Sequence, residues 1–372
     1  MIRKGFRKVL APIRSFVDHH ARLHRWRQKG DRLVANHPLK HLFWEATFQC
    51  NLTCRHCGSS CGSRIPEGLL TAAEVKAAFQ QIADDFMARK IVLSITGGEP
   101  LLRKDLAECC AAITFHGFRA GIVTNGTLAT EERARELVDA GIPHYAVSLD
   151  GPPDAHDWLR GGNNAYDRTT RGIHNLLGTR GVKHVEVLSC IHPRTIDRLE
   201  ETEKIVFDLG VGTWRLFIID PIGRADEGLY LDSPQFRKLL AFVAERRADP
   251  NYPIRIAFTE QGYLGFPYEF SVRPSGFMCD AGIRTASVLY DGAICGCPSM
   301  SRRLLQGNIK TDRFWEVWQH GFKEYRNRTR EGRPGCASCG VFEYCRGGCM
   351  HLFDEELGGP VHCHYKQLGG KP

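Results

Sequence analysis

The 372-residue sequence contains no apolar run long enough to span a bilayer and no N-terminal apolar segment ending in a signal-cleavage site. These absences argue against an integral membrane protein and a secreted one, and a cytoplasmic location is expected. Acidic residues are nearly missing from positions 1–33, where Asp18 and Asp31 stand alone. Against them stand Arg3, Lys4, Arg7, Lys8, Arg14, Arg22, Arg25, Arg27, Lys29 and Arg32. No nucleic-acid recognition motif accompanies this charge, so nucleic acid is not the expected partner. Cysteine is the opposite case. Fifteen cysteines in a chain this long exceed what a disulfide-stapled secreted domain would explain, and they read as metal ligands in a reducing compartment. Length and a 42% hydrophobic content allow one large domain and a smaller one.

Within the basic stretch, Ile2, Phe6, Val9, Leu10, Ile13, Phe16 and Val17 recur at helical spacing, interrupted by Pro12. Such a helix suits an anionic membrane surface or an acidic partner, so a peripheral membrane contact through residues 1–33 is one expectation. The other is a solvated helix packed on the main domain.

From residue 41 to about 220, strand-like and helix-like runs alternate. Strands are expected at 41–48, 90–96, 119–124, 144–149, 184–190 and 213–219, and helices at 71–86, 102–116, 130–140, 166–177 and 195–209. Parallel strands with crossover helices follow, and six units make a partial (β/α)6, TIM-like barrel. Function in such sheets gathers at the carboxyl ends of strands.

Four stretches sit at those ends. CNLTCRHC carries Cys50, Cys54 and Cys57 as C-x3-C-x2-C, directly after the first strand. Three thiolates on a cubane iron–sulfur cluster leave one iron without a protein ligand, whereas structural zinc normally closes with four. TGGEP (96–100) follows the second strand, with a glycine pair that admits close backbone approach and Glu99 as an acceptor for a cationic amine. TNG (124–126) ends the third strand. SLDG (148–151) ends the fourth, with His156, Asp157 and Arg160 beyond it.

On these motifs, residues 41–220 resemble the radical S-adenosylmethionine (SAM) superfamily. The resemblance implies that Cys50, Cys54 and Cys57 hold a [4Fe–4S] cluster whose open iron chelates SAM. It implies that Gly97, Gly98 and Glu99 line the methionine amine, and that Ser148, Asp150 and Arg160 contact ribose and carboxylate. Reductive cleavage of SAM would then yield a 5′-deoxyadenosyl radical.

A second cysteine array follows a helix expected at 233–246 and an aromatic stretch, where Phe258, Tyr263, Phe266, Tyr268 and Phe270 are read as domain-junction packing. Cys279 is followed by x12-G-x4-C through Gly292 to Cys297, then by C-x2-C-x5-C-x3-C at Cys336, Cys339, Cys345 and Cys349, and last by Cys363. This spacing resembles the SPASM domain of peptide- and protein-modifying radical SAM enzymes. The resemblance implies two auxiliary [4Fe–4S] clusters, one on Cys279, Cys297 and Cys349, the other on Cys336, Cys339, Cys345 and Cys363. The first lacks an evident fourth ligand; Cys295 is the spare thiol, and the alternative is an open iron. Cys61, Cys109, Cys110 and Cys190 read as buried apolar thiols.

The expected organisation is a basic extension (1–40), a radical SAM barrel (41–230), a bridging region (231–278) and a small cysteine-rich SPASM domain (279–372). The expected activity is modification of a ribosomally made peptide or protein side chain: a thioether or carbon–carbon crosslink, epimerisation or oxidation. Alternatives are formylglycine generation in a sulfatase, cofactor maturation, or a non-enzymatic iron–sulfur electron carrier or zinc scaffold. A low-potential donor, flavodoxin or ferredoxin, is the expected electron source. Residues 1–40 are too short for a winged-helix leader-binding domain.

Overall fold

The structure is a computed structural model describing residues 2–371 except 163, 260, 261 and 299, with side chains described from residue 16. The opening helix α1 runs Ile2–Asn36. The barrel then alternates β1 (His41–Thr47), α2 (Ala72–Asp85), β2 (Val92–Gly97), α3 (Leu106–Phe115), β3 (Arg119–Thr124), α4 (Glu131–Asp139) and β4 (His144–Ser148). It continues with α5 (Pro153–Arg160), α6 (Ala165–Gly178), β5 (His184–Ile191), α7 (Leu199–Asp208) and β6 (Thr213–Ile218). All six expected strands and five expected helices are present with ends shifted by a few residues. Their boundaries follow local chemistry. Thr71 and Glu74 form a capping box at α2, and Thr130 accepts from Arg133 N at α4. Helix α5 was not among the expected helices; Pro153 occupies its first turn, where its missing N–H costs nothing.

The sheet does not stop at six strands. After α8 (Ser233–Ala248), β7 (Arg255–Phe258) pairs parallel with β6. At the other edge, β8 (Thr285–Val288) pairs parallel with β1, and β9 (Ala293–Cys295) and β10 (Gly307–Asn308) extend it antiparallel. The order is β10-β9-β8-β1-β2-β3-β4-β5-β6-β7. One continuous sheet thus crosses residues 230/231 and 278/279, so strands from the bridging and cysteine-rich stretches sit in register with the barrel.

Strand alternation separates two environments. Leu42, Trp44, Leu93, Ile95, Ile122, Val147, Val185, Val187, Trp214 and Leu216 are buried under the helices. The opposite face, including His41, Phe43, Glu45, Ser94, Gly121, Ala146, Glu186 and Arg215, lines an interior cavity of about 1100 Å³. The mixed polar and small residues on that face suit a barrel that stays open.

Helix α1 continues through Pro12, which the sequence reading took as an interruption. Its side chains before residue 16 lie outside the described residues, and so does most of the expected apolar face. From His19 onward it packs on its own chain. Leu23 is buried, Trp26 Nε1 donates to Phe277 O (3.0 Å), and the Arg22 guanidinium lies 3.9 Å over the Phe270 ring. Arg27 pairs with Glu343, and Asp31 with Arg346. These contacts realise the packed-helix expectation for residues 19–31. No described helix is long and apolar enough to cross a membrane. Of the aromatic stretch, Phe266 meets Phe16 edge-on at 5.6 Å, and Tyr263 lies 6.3 Å from Tyr344 and 5.6 Å from Tyr365 between ring centres, so these residues do pack a junction.

Candidate active site

The loop after β1 is held by backbone and arginine contacts that leave its three sulfurs together. Cys50 N donates to Gly62 O (2.7 Å) and Arg55 N to Leu159 O (2.8 Å). Arg224 grips from below: its backbone N donates to Cys57 O (3.0 Å), its Nε to Cys54 O (2.9 Å) and its Nη1 to Cys61 O (2.7 Å). Cys50 and Cys57 pack with Cys54, Leu52 and Ala165. Burial pushes the Cys50 thiol up to about 11 and raises Cys54, so these sulfurs become thiolates only against a cation, as cluster iron would supply. A hydrogen bond from Cys61 instead lowers Cys57 to about 5. Cys61 is buried, as expected.

The glycine pair has a steric reason within the chain itself. A Cβ on Gly97 would lie 2.2 Å from Thr47 O, and one on Gly98 would lie 2.2 Å from Gln49 O. Gly98 N and Glu99 N donate to those carbonyls (2.8 Å each), drawing the end of β2 against the cysteine loop. Glu99 is buried and accepts from Thr124 Oγ1 (2.7 Å), Asn125 N (2.7 Å) and Leu101 N (3.1 Å). Its carboxylate thereby anchors the TNG turn at the end of β3.

Asp150 is also engaged inside the fold. Arg160 meets it through Nε (2.5 Å) and Nη2 (3.0 Å), and Cys190 N donates to its Oδ1 (3.0 Å). Both residues are buried, and Arg160 Nη1 points at Cys54 Sγ from 3.9 Å. Burial works against the Asp150 charge, but Arg160 and the nearby histidines hold it well below the usual carboxylate range. In this arrangement the Asp150–Arg160 pair supports the cluster loop from behind, a role that the expectation of ribose and carboxylate contacts does not include. Around it lie His56, His156 and His192, pushed by burial to about 3, 4 and 4 respectively, and so neutral. Ser148 ends β4, half-buried.

The cysteines of the second array fall into two groups. Cys336, Cys339, Cys345 and Cys363 line one void of about 220 Å³ with Phe342, Pro360 and Tyr365. Cys279, Cys297 and Cys349 open together onto the barrel cavity. A sulfur hydrogen bond from Cys349 lowers the Cys279 thiol, while burial, with that same bond, raises Cys349. Four sulfurs around one void and three facing another fit two clusters. Cys295 is not with either set. It is buried, and its Sγ lies 3.0 Å from Cys297 O, where burial pushes the thiol up. The sequence reading that offered it as a fourth ligand is not supported by this orientation. Cys109 and Cys110 are buried, as expected.

One residue escaped sequence reasoning. Glu45 lines the cavity near the end of β1, and burial pushes it up to about 7. Its signal was present as a lone acid within the apolar run HLFWEATF, but only the folded barrel shows that it faces inward.

The fold and these sulfurs define an α/β barrel enzyme with one cysteine triad at the strand ends and a second, cluster-binding cysteine domain. The sequence model of the radical SAM superfamily matches residues 44–206, and that of the SPASM iron–sulfur cluster-binding domain matches residues 279–340. The mycofactocin maturase MftC of Mycolicibacterium smegmatis is 31% identical over 318 residues, 83% of this chain and 77% of that protein. An AdoMet-dependent heme synthase of Methanosarcina barkeri is 28% identical over 345 residues, 87% of this chain and 95% of that one. Among solved structures, native anSMEcpe with bound AdoMet superposes with a TM-score of 0.70 at 19% identity, covering 89% of this chain and 95% of that one. SuiB of Streptococcus suis bound to S-adenosylmethionine gives 0.68 at 17%, covering 84% and 73%. The chain belongs to the radical SAM superfamily and carries a C-terminal SPASM domain. It is a radical SAM enzyme that uses iron–sulfur clusters and SAM.

Proposed function

We propose that this enzyme modifies a side chain or backbone carbon of a ribosomally made peptide. The observation that carries the reading is the interior cavity. It runs from Thr96 and Gly97, beside the cysteine triad, to Cys279, Cys297 and Cys349, with about 1100 Å³ of room for a chain segment. Cluster and SAM, when bound, supply a 5′-deoxyadenosyl radical that abstracts a hydrogen atom from the substrate. Cys50, Cys54 and Cys57 hold that cluster. Gly97 and Gly98 shape the wall beside it, Glu99 fixes the neighbouring turn, and Ser148, at the end of β4, would contact SAM. Asp150 and Arg160 position Cys54. Cys279, Cys297 and Cys349 hold one auxiliary cluster at the far wall, and Cys336, Cys339, Cys345 and Cys363 hold a second. Clusters held there would supply redox chemistry beside the substrate, and a flavodoxin or ferredoxin would supply the reducing electron. Glu45 stands as the proton acceptor, because it lines the cavity and burial pushes its carboxyl up towards neutral pH.

The naming of MftC as a maturase supports the peptide reading. A second reading, cofactor maturation, draws on the heme synthase relatives and on the cavity's basic mouth. Arg119 and Arg255 line it at the amino ends of strands, where carboxylates of a tetrapyrrole would find cations. The test is anaerobic turnover of reconstituted enzyme with SAM, dithionite and either the peptide encoded beside the gene or iron coproporphyrin III. 5′-Deoxyadenosine with a mass change on the peptide is the expected result. A change confined to the porphyrin would replace the first reading with the second.

A further inference from the structure

Among the described residues two groups of metal-type donors converge: His56, Asp150 and Cys190 beside the triad loop, and a second group away from it. Asp220, just after β6, meets His362 and His364, which flank Cys363. Asp220 Oδ1 lies 2.9 Å from His362 Nδ1 and 3.4 Å from His364 Nε2. The three donor atoms lie within 4.8 Å of one another, and Asp220 and His364 are buried. We propose that these three side chains form a divalent-cation site suited to zinc, distinct from the iron–sulfur clusters.

Three arguments support it. Two imidazoles and a carboxylate are a donor set that zinc takes readily. Tetrahedral zinc with bonds of about 2.0–2.1 Å sets its ligand atoms about 3.3 Å apart. The Asp220–His364 separation already has that value, and His362 need retreat only by a few tenths of an ångström. The strongest argument lies one layer further out. Gln367 Nε2 donates to Leu231 O (2.6 Å), which fixes the amide so that its Oε1 faces His362 Nε2 at 3.0 Å. That oxygen can only accept, so His362 Nε2 carries the hydrogen. Nδ1 faces an Asp220 oxygen at 2.9 Å, a separation that its own proton or a shared cation can bridge. An imidazole that donates its outer N–H to a fixed acceptor and turns its other nitrogen inward is the usual support of a metal-bound histidine.

The position gives the site a consequence. Asp220 lies four residues before Arg224, which holds the carbonyls of Cys54, Cys57 and Cys61. Its partners lie on either side of Cys363. A cation here would join the loop beneath the first cluster to the loop of the second auxiliary cluster.

The experiment uses the full chain with clusters reconstituted, incubated anaerobically with zinc chloride and desalted. Zinc is counted by mass spectrometry and located by anomalous scattering on both sides of the zinc edge. The expected result is one zinc per chain at Asp220, His362 and His364, lost in Asp220→Asn and His364→Gln while iron and sulfide are retained. No zinc peak at these residues, or zinc found only on cysteines, would overturn the proposal. So would zinc retained in both variants. Because the map is read on the unaltered protein, a variant that fails to fold does not decide the outcome.

Discussion

At the residue scale, Glu45 and Cys54 carry the sharpest expectations. Glu45 is raised in the folded state, so its contribution to stability is fully present below the unfolded pKa near 4.5 and is lost as pH rises towards 7. Above pH 7 the buried charge opposes folding by up to about 3 kcal/mol. Glu45→Gln is therefore expected to raise the melting temperature at pH 8 by several degrees and to change it little at pH 4. The same variant should reduce product formation more than SAM cleavage, which a comparison of peptide product with 5′-deoxyadenosine will read. Cys54→Ala is expected to abolish 5′-deoxyadenosine formation altogether; cleavage at the unaltered rate would mean the chemistry lies elsewhere. The cysteines were legible because their spacing is local. Glu45 was not, because its burial and inward direction are set by strands far away in sequence. The engagement of Asp150 and Glu99 with Arg160 and the TNG turn was hidden for the same reason.

At the scale of elements, the six central strands were readable from alternating apolar and polar positions, as in His184–Ile191. The short strands β7 to β10 were not, since two to four residues give no period. The loop 220–225 after β6 seats the cysteine loop through Arg224. Gly223 has a left-handed φ of 62°, and a Cβ there would lie 2.2 Å from Cys57 O and 2.4 Å from Gly58 O. Both obstacles are backbone and cannot swing aside. Gly223→Ala is expected to cost about 2 kcal/mol or more through strain and displacement of the cluster loop. Iron and sulfide analysis should show a deficit of one cluster, whereas Gly210→Ala, with a comparable φ and open space around its Cβ, should keep all the iron.

At the scale of the molecule, the proposed auxiliary ligand sets interleave along the chain, with Cys349 falling between Cys345 and Cys363 yet facing the barrel cavity. Cys339→Ala is expected to leave SAM cleavage within about two-fold of the unaltered rate while product formation falls at least ten-fold. Equal loss of both would place that set in the first half-reaction instead. The overall class was legible from two cysteine arrays and alternating strands; the way the halves join was not, because no local pattern announces which strand will lie beside β1.

That join has a wider meaning. The strand from which the triad loop springs is gripped along both margins, and one grip, β8, belongs to the region matched by the SPASM sequence model. A fragment ending at residue 278 would leave β1 with a bare row of amides and carbonyls, open to whatever chain drifts near. Recombination that exchanged only the tail would have to supply a replacement for Thr285–Val288 in matching register, so the two regions are bound to change together.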